Sequence, residues 1–271
     1  MNIFRRELKA NLKSLIIWCV IMLLLIVVGV SKFSAYYNNP QMIAILDSLP
    51  KSVIDAMSLK AFNLTTLNGF YGIMFVYFAL LGAIAAAMWG SDAISKEERD
   101  KTVEFSLVLP VTRSRVITAK ALAALVNCIV FVIITALGSI ALAQQYHPDQ
   151  TFYSFLGLEM AAMFVLELVF LAIGLLLGCA MKQYKRSASI GIAIILVTYF
   201  LSILSGLQKN LEFLAYFSPF KYFDAAKLLN SATTGSLSGA LSGKYLLLVV
   251  VIIVVCVAGA YLTYNKRDLY I

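Results

Sequence analysis

Apolar residues run in six long stretches, at approximately 14–34, 68–93, 116–143, 154–181, 187–207 and 244–264. Crossing the hydrocarbon core of a bilayer as a helix takes about 20 such residues. The pattern therefore predicts an all-α polytopic membrane protein with six transmembrane helices, built as a single transmembrane domain over residues 1–271. Polar residues collect between the stretches. Ser95 to Lys120, SKEERDKTVEFSLVLPVTRSRVITAK, carries ten charges. Ser95 and Glu98 have the spacing of a capping box, which either starts a short helix or caps a continuation of the second span. Thr102–Leu109 is mostly apolar but too short to span. Pro110 stops it, and Thr112 begins the next helix. The product is a short helix with an apolar body between two charged clusters. Such an element either docks into a groove on a partner or anchors a solvated loop at the membrane surface.

Two further segments depart from simple spans. In the N-terminal NIFRRELKANLK, Phe4, Leu8 and Leu12 recur at i, i+4 and i+8, against Arg5, Arg6, Lys9 and Lys13. This predicts an amphipathic helix lying on the membrane surface and running into the first span, or else a basic flank that only sets topology. Between Gln208 and Gly243 the chain reads LEFLAYFSPFKYFDAAKLL, broken at Pro219. Short interfacial helices are predicted there, anchored by Tyr216, Phe217, Phe220, Tyr222 and Phe223.

Composition agrees with a membrane protein: 61% hydrophobic, 13% charged, mean hydropathy +0.88. The net charge of +8 is explained by topology rather than by nucleic acid. Six spans put both termini on one side. Fifteen of the 22 Lys and Arg fall on that side, in the N-terminus, the 95–120 loop, the loop after the fourth span and the C-terminus. The positive-inside rule then places both termini and the charged loop in the cytoplasm, and the 208–243 segment outside, in a multi-pass protein of the cell membrane. A cleaved signal peptide at 14–34 fits poorly, because the apolar run is long and its loss breaks this charge pattern.

Candidate chemistry is sparse. Cys19, Cys128, Cys179 and Cys256 all lie in apolar stretches without metal-ligand spacing. His147 sits beside Pro148 in a short loop and reads as a surface turn. No GxxxxGK[ST] phosphate loop occurs, so ATP hydrolysis is not expected of this chain; no catalytic residue, metal or bound cofactor is expected either. Glu159 and Glu167 fall in the fourth span, Glu159 near its predicted outer end and within reach of water, Glu167 deeper and the better functional candidate. Carboxyls in hydrocarbon cost several kcal/mol by most scales and usually face a bundle interior, as proton or cation sites or as protonated structural groups. Gly82, Ala86 and Gly90, and Gly174 and Gly178, offer small faces for close helix packing.

Together these residues resemble ABC-2 type permeases, the membrane subunits of bacterial ABC transporters. The match lies in Glu97 and Glu98, Thr102, the apolar Val103–Leu109, Pro110, Arg113 and the Lys120 that enters the third span. SPFKYF (Ser218–Phe223) is similar to the segment before the family's last span. Lys101 departs from the Gly common there. The resemblance implies a coupling helix that contacts a separate cytoplasmic ABC ATPase, in two copies, holding ATP and Mg. Its contact residues would be Glu97, Glu98, Arg99, Thr102, Val103, Phe105, Leu107, Leu109, Pro110 and Arg113. It further implies a connecting helix carrying Phe4, Leu8 and Leu12, outer re-entrant helices gating at Pro219, Phe220 and Tyr222, and a second permease subunit, identical or related, within membrane lipid. Export is the implied direction. A non-transporting scaffold or sensor for the same ATPase, and an ion-coupled carrier using Glu167, are the competing readings.

Overall fold

The computed structural model describes residues 3–37, 39, 62–99, 111–181, 184–207, 209–235 and 242–266, with side chains at all of these except 97–99, 184–185 and 209. Among them the elements are α1 (Ile3–Tyr36), α2 (Leu67–Arg99), α3 (Arg113–Ala143), a 3-10 turn (Gln144–Tyr146), α4 (Gln150–Ala180), α5 (Tyr184–Leu207), a 3-10 helix (Lys209–Phe217), α6 (Pro219–Tyr222), α7 (Ala225–Thr234) and α8 (Gly243–Lys266). No strand occurs among the described residues. Six helices, α1 to α5 and α8, are long and apolar enough to cross a membrane. The protein is an all-α polytopic membrane protein.

Local chemistry sets the helix ends. Thr112 caps α3 by accepting from the Arg115 N–H, and Asp149 caps α4 by accepting from the Phe152 N–H at 2.8 Å. Asp224 caps α7, and Gly235, at φ 68°, ends it in the left-handed conformation that glycine adopts without a Cβ penalty. Asn63 folds into a turn before α2, its side-chain oxygen accepting from Thr65 N and Oγ1. Asn63-Leu64-Thr65 is thus an Asx turn leading into a helix.

The core is the pair α2 and α4. The most apolar windows of these two spans are 67% and 61% buried, against 17% for α5 and 11% for α8. The two run parallel, and small residues hold them together. A Cβ on Gly174 would stand 2.2 Å from the carbonyl oxygen of Ala87, one on Gly178 2.6 Å from that of Ser91, and one on Gly90 2.4 Å from that of Leu171. Backbone therefore lies against backbone, the geometry that small residues allow in hydrocarbon, where no hydrophobic drive brings helices together. Helix α1 packs along α3, α8 lies on α4, and α5 lies against α2 and α4.

Three details differ from the sequence reading. Ser95 is not an N-cap: α2 continues through residue 99, and the Ser95 hydroxyl donates to the Ser91 carbonyl at 2.8 Å within the helix. The N-terminal stretch runs into the first span, α1 being unbroken from Ile3, but it does not bury its apolar face. Its buried face is Glu7 and Asn11, whereas Phe4 and Leu8 are half-buried and Leu12 is exposed. Of the five aromatic anchors, only Tyr216 and Phe217 are exposed. Tyr222 and Phe223 are buried, and Phe220 packs on Phe170 of α4 and Tyr199 of α5. Pro219 starts a turn of helix that directs these rings inward.

Candidate functional site

Polar groups gather at three levels of the bundle. The first is the end where α1 begins and α2 gives way to α3. Lys120 of α3 is 1% exposed. Its ammonium donates to the Ala93 carbonyl of α2 at 2.7 Å and lies 3.7 Å from Oε2 of Glu7 on α1. Lys96 of α2 donates to the Ala10 carbonyl at 3.1 Å and reaches Asn11 Oδ1 at 3.5 Å. One turn deeper, Trp89 donates to Ser14 Oγ at 3.1 Å. Arg113 donates to the carbonyls of Tyr264 and Asn265 at 3.3 and 3.4 Å, closing the C-terminal end of α8. Thr118 and Tyr261 share a hydrogen bond of 2.6 Å. Both flanks of the charged loop are thereby tied into the bundle: Lys96 and Lys120 to α1, and Arg113 to α8.

Of the expected coupling residues, Arg113 is placed by these contacts. The side chains of Glu97, Glu98 and Arg99 lie outside the described residues, as do Thr102, Val103, Phe105, Leu107, Leu109 and Pro110. Sequence reasoning counted Lys96 as a topological charge, gave Lys120 a place in the family pattern but no buried partner, and passed over Glu7. The available signal was Glu7 itself, a lone acid among four nearby bases.

The second level lies in mid-span. Glu159 and Glu167 of α4 are both 0% exposed. Glu167 rests on Gly82 of α2, where a Cβ would come within 2.7 Å of its Oε1. The Cys128 thiol of α3 is close enough to interact with it, but a thiol is a weak donor. None of the four carboxyl oxygens has a well-formed hydrogen bond among the described residues. No cluster of His, Cys, Asp or Glu able to hold a metal occurs among the described residues.

The third level is the opposite end, formed by the 209–217 helix, α6 and α7. Ser218 donates to the Thr198 carbonyl of α5 at 2.7 Å, and Tyr222 donates to the Tyr216 carbonyl. Tyr222 stacks on Tyr245 of α8, centroids 4.9 Å apart and planes 14° apart. Burial, with Tyr245 alongside, pushes the Tyr222 phenol up to about 12. The expected gate residues Pro219, Phe220 and Tyr222 thus sit in one packed turn between α4, α5 and α8.

No individual curated protein sequence matches the chain. A family model described as ABC-2 family transporter protein matches residues 1–269. Six apolar helices among the described residues, the charged sequence between α2 and α3 and a match across nearly the whole sequence agree: the chain belongs to the ABC-2 transporter family.

Proposed function

We propose that this chain is the permease subunit of an ATP-driven exporter, one of two permeases, identical or related, that form the pathway between them. Residues 95–115 would present the coupling helix to a separate cytoplasmic ABC ATPase, two copies of which bind ATP and Mg. Both termini are then cytoplasmic, as the Lys and Arg distribution requires. The observation that carries this reading is the tying of both loop flanks into the bundle through Lys96, Lys120 and Arg113. A displacement of the loop is passed to α2 and α3 at their ends rather than absorbed by slack chain. Backbone contact then carries it from α2 to α4, and Phe170 of α4 meets Phe220, centroids 5.3 Å apart, in the gate turn.

The test is the loop itself. Glu98→Lys and Leu107→Asp should leave the permease in the membrane at normal levels while abolishing ATPase capture in pull-downs and transport-linked ATP hydrolysis. Variants that capture the ATPase and transport normally would sink the assignment. A scaffold or sensor role predicts the same capture but no substrate movement in proteoliposomes.

A further inference from the structure

Between the end of α5 and the start of α8, the short helices frame an open-sided cavity of 610 Å³. Its charged lining is Glu212, Lys221, Asp224 and Lys227, and Tyr216 and Tyr245 supply rings. The lining is neutral in sum. Lys221 and Asp224 pair with each other at 3.4 Å, and Asp224 also caps α7. Glu212 and Lys227 make no ion pair or hydrogen bond among the described residues and are exposed. The cavity therefore has one spare negative and one spare positive pole. Tyr216 and Tyr245 stand with centroids 6.0 Å apart and planes at 57°, and Glu212 is within electrostatic reach of Tyr245. Rings beside a carboxylate are a setting for an ammonium, and a lysine ammonium suits a phosphate.

We propose that this cavity holds the headgroup of a zwitterionic phospholipid, with its phosphate at Lys227 and its ammonium between Glu212 and the Tyr216–Tyr245 pair. The surroundings favour a lipid over a soluble zwitterion. Phe213 and Phe217 are exposed beside it. Helix α5 reaches the cavity past exposed Leu204 and Leu207, and α8 leaves it past exposed Leu246 and Leu247. The two helices make no extended contact along their lengths among the described residues; the 209–217 helix and α6 bridge them. Two apolar tracks thus run into the membrane from one polar chamber, as two acyl chains require. The volume lies within the roughly 300–1,000 Å³ usual for ligand sites. An anionic lipid gains nothing from Glu212 and meets no net positive charge. The site is independent of ATPase coupling and of transport direction.

The test uses the full-length protein, purified and stripped of lipid in detergent, with bound lipid read by native mass spectrometry. Phosphatidylethanolamine, phosphatidylcholine and phosphatidylglycerol with the same acyl chains are compared with soluble phosphoethanolamine. One zwitterionic lipid per chain is expected, with phosphatidylglycerol about tenfold weaker, as loss of one charged contact predicts. Lys227→Glu and Tyr245→Ala should each weaken retention about tenfold. Glu212→Gln should shrink the preference for zwitterionic over anionic lipid without weakening phosphatidylglycerol, a readout that a folding defect does not produce. Equal retention of phosphatidylglycerol overturns the proposal, as does an unaltered Lys227→Glu variant. Competition by phosphoethanolamine at the lipid's own concentration also overturns it, in favour of a soluble ligand.

Discussion

Lys120 shows what a single charge does when water is withdrawn from it. Its ammonium donates to the Ala93 carbonyl and lies against the Glu7 carboxylate, and Glu7 is 4% exposed. Removing one partner leaves the other charged and buried. Lys120→Met should therefore cost about 3–5 kcal/mol, and Glu7→Gln combined with it should recover part of that loss. Thermal unfolding in detergent measures both. Glu167 is the opposite case, a carboxyl with no cation against it among the described residues. Under the permease reading, Glu167→Gln should leave stability and the pH profile of transport unchanged. A shifted pH profile would favour the ion-coupled reading instead. At this scale the sequence was legible for Glu167, because an acid deep in a hydrocarbon span is conspicuous, but not for Glu159, whose place near the predicted outer end put it within reach of water whereas it is fully buried. It was not legible for Glu7, because a surface helix and a helix packed through its polar side have the same i, i+4 pattern.

Helix pairs carry most of the specificity in the bundle. Gly174 is set against the Ala87 carbonyl. Gly174→Leu should drive α2 and α4 apart at a cost of about 1–3 kcal/mol or more, since backbone on both sides leaves nothing to rotate away. Gly157→Ala is the matched control: a Cβ there meets nothing within 4 Å, so its effect should stay within about 0.5 kcal/mol. Unfolding midpoints of the two variants compare them directly. The glycine spacings were visible in the sequence. Which faces meet, and that the partners run parallel, was not, because spacing says that a helix can be approached closely but not by what. The capping-box reading failed for a related reason. Ser95 and Glu98 have the right separation, but α2 had not yet ended, and a serine inside a helix bonds backwards to the preceding turn. Likewise, aromatic richness marked 208–243 as interfacial, yet it could not tell Tyr216, which faces out, from Tyr222, which is buried.

At the scale of the whole molecule, α5 and α8 are the least buried spans, and long rows of apolar residues face outward from them. In a family whose members work with an ATPase, such faces are available both to lipid and to a second permease. Co-expression with the cognate ATPase should give an assembly of two permeases and two ATPases by mass photometry. A complex with a single permease would rule out the identical pair and leave only a related second permease. Six spans and their approximate limits were legible because hydropathy integrates over some 20 residues and tolerates local error. Order within the bundle was not, since all six stretches are similarly apolar and only contacts distinguish a central helix from a peripheral one.

The close pairing of α2 with α4 also constrains how the protein is made. Helix α2 is complete at residue 99, and the helix that covers its glycine face ends only at residue 180. At about 5–20 residues per second of synthesis, the interval is roughly 4–16 s. Until α4 is made, the face of α2 that carries Gly90 and Ala87 lacks the helix that covers it. The nascent chain thus passes through a stage in which its best packing surface is bare, and a ribosome stalled within α4 leaves an incomplete protein with that surface open to any neighbouring small-residue helix.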